Sequence, residues 1–127
     1  MRYLAQHVTV FSSAARTATS NSQDFKNSDF KNSSGVGAVV TIDVTAATAS
    51  PSVVFTVQGK DPTSGKYYTI LASAAITGTG TTTLRIHPDL TAAANTVAKD
   101  MMPAVWRVNA THADADSITY SVGASIV

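Results

Sequence analysis

The chain has 127 residues, nine Lys and Arg against eight Asp and Glu, a formal charge of +1 and no cysteine. Its Lys and Arg are dispersed and sum to almost nothing, so no field gathers phosphates and a nucleic-acid partner is not expected. Without thiols there are no disulfides, no thiolate chemistry and no thiolate zinc site.

Period-two alternation dominates the chain, which is the spacing of half-buried strands. It begins at the N-terminus, where Val8 and Val10 share one side and His7 and Thr9 the other. Ser12 to Ser34 follows as a long polar loop, rich in Asn and Ser. Within it Asp24-Phe25-Lys26-Asn27-Ser28 is repeated at once as Asp29-Phe30-Lys31-Asn32-Ser33. Alternation resumes with Ala38, Val40, Ile42 and Val44 against Val39, Thr41 and Asp43.

Val53, Phe55 and Val57 then alternate with Val54, Thr56 and Gln58, and a turn group, Gly59-Lys60-Asp61-Pro62-Thr63-Ser64-Gly65, leads to Tyr67-Tyr68-Thr69-Ile70-Leu71. Two β-type runs around such a turn specify a hairpin. Ala72 to Thr83, with Thr77-Gly78-Thr79-Gly80-Thr81, reads as a flexible connection before Leu84 and Ile86, which flank Arg85. In Pro88 to Pro103, Leu90, Ala94, Val97 and Met101 fall near helical spacing. Asp89 or Thr91 would cap a short helix there and Pro103 would stop it; an ordered loop fits equally. Trp106 and Val108 flank Arg107, and Ile118, Tyr120, Val122, Ala124 and Ile126 close the chain in strict alternation.

These segments predict a single all-β domain over residues 1–127, an antiparallel β-sandwich of jelly-roll or immunoglobulin-like type. It has seven to eight strands and at most one short helix. Parallel α/β architecture is excluded because no amphipathic helix of adequate length separates the strands. The N-terminal Met1 to His7 lacks the apolar run of a signal peptide, and no segment approaches the roughly eighteen apolar residues of a membrane span. Synthesis in the cytoplasm and no membrane contact are the expectation. Charged residues are only 13% of the chain; the average is about 25%. A weakly charged surface favours assembly, with a hydroxyl-rich soluble surface as the plainer alternative.

Candidate sites are few. The tandem pentamer is far shorter than a solenoid repeat of at least about twenty residues. It reads either as a slipped duplication in a tolerant loop or as a protruding loop whose Phe25 and Phe30 anchor a neighbouring subunit. His112, Asp114 and Asp116 stand at alternate positions; as a polar turn they need no metal, and a hard cation would want more oxygens. No serine stands in a nucleophile elbow, and neither Gly35-Val36-Gly37 nor Gly78-Thr79-Gly80 forms a phosphate loop. No enzyme activity, cofactor or metal is expected. Trp106 reads as core, with an exposed sugar-stacking role as the sharper alternative. Tyr67 and Tyr68 point to opposite faces, so one is core and the other exposed or interfacial. The sequons at Asn32 and Asn109 matter only on secretion.

The run Gln58 to Leu71 resembles a family of small virion proteins of tailed bacteriophages. The likeness continues through Leu90 to Asn95, Pro103 to Val108 and Thr111 to Ala124, and Ser13 to Thr19 also fits; the tandem pentamer matches nothing in that pattern. Such proteins are similar to capsid decoration, or cement, proteins. The resemblance implies a non-enzymatic β domain, present in many copies on the virion surface. Its partner there is the major capsid protein, and it forms a homo-oligomer with a trimer favoured. The interface candidates are Phe25, Lys26, Phe30, Lys31 and Tyr67. A head–tail connector or tail component, and a virion carbohydrate-binding module, are the alternative functions.

Overall fold

A computed structural model describes residues 6–26 and 36–127. Among the described residues ten strands follow one another: β1 (Gln6–Arg16), β2 (Ser20–Asn21), β3 (Phe25–Lys26), β4 (Ala38–Ala47), β5 (Val53–Lys60), β6 (Tyr67–Ala72), β7 (Gly80–Ile86), β8 (Val97–Ala98), β9 (Val105–His112) and β10 (Ile118–Ile126). No described residue is helical. One sheet runs β1-β10-β4-β7-β8; the other runs β2-β9-β5-β6, with β3 also paired to β9. Every pairing is antiparallel except β7 with β8. The fold is thus the all-β sandwich that the alternation specifies.

The alternation decides which side chains meet. Val40, Ile42, Leu84, Ile118 and Val122 project inward from the first sheet, and Val53, Phe55, Val57, Trp106 and Val108 from the second; all are buried. Phe55 meets Tyr120 edge-to-face across the two layers, with centroids 4.9 Å apart. Each such aliphatic or aromatic side chain contributes about 1.5–3 kcal/mol on burial. A one-residue slip in any of these strands would turn that set to solvent.

The β5–β6 hairpin forms where expected. Asp61 organises its turn: its carboxylate accepts from the Thr63 and Ser64 amides and from the Ser64 hydroxyl at 2.6 Å. These bonds, the Ser64 hydroxyl first, hold its pKa below 3.8. Gly65 takes a left-handed φ of 75°, which a side chain would oppose. Ser73, a buried polar residue just beyond β6, accepts from the Phe55 amide and donates to the Ala74 carbonyl.

One segment departs from the expected pattern, and in a second the ordered loop, not the short helix, is the alternative that forms. Ser12–Ser34 is not one loop: β1 runs on to Arg16 beside β10, through two register shifts, and β2 and β3 then pair with β9. The segment from Pro88 to Pro103 contains no helix. Ala94 and Met101 are exposed while Leu90 and Val97 are only half-buried, so a helix here would bury no apolar face. Its backbone instead follows β7: Arg85 donates to Thr96 and His87 to Ala98. The left-handed Asn95 (φ 62°) breaks any helical run.

Candidate functional site

The outer face of the second sheet carries the densest polar cluster. Gln58 and Lys60 on β5 and Arg107 on β9 alternate with buried residues and so share the outer face, where Tyr67 on β6 joins them through its contact with Arg107. The Arg107 guanidinium lies over the Tyr67 ring at 3.5 Å and donates through Nε to Gln58 Oε1 at 2.8 Å. Asp24, just before β3, accepts from the Tyr67 hydroxyl at 2.8 Å and from Lys60 Nζ at 3.0 Å. Partial burial raises the Asp24 pKa, but the bonds from Tyr67 and Lys60 and the charges of Lys60 and Arg107 outweigh it and leave it below 3.8. The same ion pair raises the Lys60 pKa. The cluster therefore ties three neighbouring strands to the segment leading into β3. Its donors and acceptors mostly satisfy one another, which suits a rigid contact surface more than a reacting centre.

A second aromatic group lies at the opposite end of β9. Tyr120 is fully buried, and its hydroxyl sits 3.1 Å from His112 Nε2. Arg16 stacks over Tyr120 at 4.6 Å and over Phe11 at 5.0 Å. It also donates to the carbonyls of Ser12, Ala14 and Tyr120. Burial lowers the His112 pKa, Asp114 opposes that and Arg16 adds to it. Burial raises the Tyr120 pKa against the Arg16 charge. At neutral pH the pair is an uncharged imidazole facing an uncharged phenol. Beside it an open groove of about 330 Å³ runs between β1 and the stretch after β2, lined by Thr9, Phe11, Ser12, Arg16, Asn21 and Gln23 among others.

The expected site residues meet different fates. Tyr67 is half-buried in the polar cluster, whereas Tyr68 is 49% exposed, its ring lying over Gly59. Phe25 is not an anchor on a protruding loop. It is 4% exposed and packs on Trp106 with centroids 4.8 Å apart, because β3 pairs Phe25 with Trp106 and turns both inward. Lys26, the next residue, points outward and is exposed. Phe30 and Lys31 lie outside the described residues. Trp106 is wholly buried and offers no platform to a sugar. No described group accepts from its Nε1.

Asp114 and Asp116 serve the turn between β9 and β10: Asp114 accepts from the Asp116 amide and Asp116 from the Ser50 amide. Among the described residues no group of three or more His, Asp or Glu is placed to hold a metal ion. Asp24, Lys60 and Arg107 are not singled out by the sequence. Lys60 and Arg107 alternate with core residues and so face outward, but which strands lie side by side is a matter of topology, which the alternation does not encode. No protein-family model, curated protein or solved structure matches the chain.

Proposed function

We propose that this chain is a non-enzymatic decoration protein of a tailed-phage capsid, made in the host cytoplasm and carried on the outside of the shell. Its task is to bridge neighbouring copies of the major capsid protein and resist their separation. The sequence resemblance suggests the role, and the outer face of the first sheet is the structural observation that supports it. Thr9, Gly123, Thr41 and Thr83 stand directly opposite one another across β1, β10, β4 and β7. A parallel row sets His7 against Ser125, Val39 and Arg85, and a partial third sets Ser121 against Asp43 and Thr81. In the central row the side chains are short and uncharged, and His7, Arg85 and Asp43 lie only in the flanking rows, so another surface can approach the centre without stripping water from ions. Each contact is weak, and repetition over a symmetric shell makes the sum effective.

Quantitative mass spectrometry of purified virions tests the reading. A shell-bridging protein is present at on the order of hundreds of copies, whereas about six or twelve copies would assign it to a connector or tail ring. On the same reading Thr41→Glu, which places a charge in the middle of the row, lowers occupancy on capsids while leaving the free protein folded.

A further inference from the structure

We infer that the free edge of β6 is a self-association surface at which a second copy of this chain adds its own β6 antiparallel, closing a two-fold dimer through a continuous sheet. Exposed strand edges present unpaired backbone groups, and proteins normally blunt them with charge, proline, bulges or brevity. At one edge of the first sheet β8 is two residues long, and on the outer side of β9 in the second sheet β2 and β3 are equally short. β1 is long but blunted: its register shifts twice, and Arg16 folds back onto the Ser12 and Ala14 carbonyls at 2.8 and 3.2 Å.

β6 lacks most of these guards. From Tyr67 to Ile76 the chain runs ten residues without a charge or a proline. It stays beside β5 beyond the strand itself, through Ser73 to Phe55 and Ile76 to Val53. One irregularity interrupts the ladder, at Ile70. Among the described residues only the Asn95 side chain bonds the outer side of this run, at the Ala72 carbonyl. Aromatic anchors flank the edge: Tyr68, half exposed, on one face and the Tyr67–Arg107 stack on the other. Tyr and Arg are the residue types that carry most interface energy.

Charge favours a second copy as the occupant. In an antiparallel pair centred near Thr69 and Ile70, Lys66 of each chain lies beside Ala72 to Ala74 of the other, so no like charges face each other. A net charge of +1 imposes no long-range repulsion between copies. Such a contact is isologous and closes at two copies, in place of the trimer that the resemblance implies.

Sedimentation of the free chain between about 5 and 500 µM tests the dimer, a range that spans ordinary weak association. The expected species at the upper end has twice the 13.2 kDa mass of one chain. Thr69 is exposed, so Thr69→Lys leaves the fold intact while setting two lysines against each other at the two-fold; the dissociation constant rises at least about tenfold. Thr83→Lys, on the outer face of the first sheet, leaves it unchanged. Because the chain has no cysteine, Thr69→Cys gives a second readout: it forms a disulfide-linked dimer on mild oxidation, much faster than Thr83→Cys. A monomer at every concentration or a threefold mass would each overturn the inference. So would a dimer that is indifferent to Thr69→Lys and crosslinks no faster through Thr69→Cys than through Thr83→Cys. All of these are read on the isolated chain, so they stand or fall separately from virion copy number.

Discussion

The two ends of β9 solve the same problem differently. At one end Tyr120 buries an aromatic ring and finds a partner for its polar tip in His112. At the other Trp106 buries a larger ring beside Phe25, and its N–H meets no described acceptor. Both ends are closed by an arginine stacked on a tyrosine, Arg16 on Tyr120 and Arg107 on Tyr67. Arg16 reaches the buried ring itself; Arg107 covers a ring on the outer face, one layer removed from Trp106. The buried ring at the Tyr120 end thus draws on a polar bond as well as packing, whereas the Trp106 ring draws on packing, with the polar bonds at that end made one layer out by Arg107, Tyr67 and Asp24.

Substitutions can break that contrast. The largest effect is expected at Trp106→Ala, which opens a cavity beneath Phe25 and costs about 4 kcal/mol by denaturant unfolding. A cost near 1 kcal/mol would show that the N–H, which meets no described acceptor, had already cancelled most of the packing gain. Arg16→Ala comes next, at about 2 kcal/mol, because it frees three carbonyls and two stacked rings. Arg16→Lys recovers little of this, since an ammonium lacks the planar fork that spans those carbonyls. Tyr120→Phe follows at about 1 kcal/mol, the net worth of one hydrogen bond whose other partner can be hydrated. If Tyr120→Phe proved neutral, the hydroxyl–imidazole contact would add nothing and the two ends would be alike.

How much of this the sequence discloses depends on whether a feature is local. Strand positions and inward faces are local, and Ile118 to Ile126 announces both. So does the hairpin, whose turn chemistry sits within a few residues of Asp61. Arg16's role is not local: it depends on β1 continuing past Phe11 to pair with β10. The available hint is the long alternating run of β10, which needs long neighbours on both sides. Phe25 misleads for a related reason. The repeated pentamer makes it look like Phe30, yet the short pairing of β3 with β9 turns it inward onto Trp106. The apparent helical spacing from Leu90 to Met101 misleads because spacing signals a helix only where a core waits to receive that face.

The smallest expected effects come from acid, and they separate the two ends by pH. His112 has a folded pKa below its ordinary 6.5. Its unfolded form therefore takes up the proton first, and stability present above 6.5 is lost as pH falls through the folded value. Asp24, just before Phe25 in the chain, has a folded pKa below its ordinary 3.8. Its contribution is intact above 3.8 and is lost only as pH falls through that lower value. Urea midpoints measured down a pH series should first fall at the Tyr120 end, a decline that His112→Gln flattens. A second decline at lower pH should be flattened by Asp24→Asn, which keeps the side chain's shape without its charge. Because both groups are partly hydrated, each step is small. A single decline, abolished by either variant alone, would mean that the two ends unfold as one electrostatic unit and that the contrast between them holds for packing only.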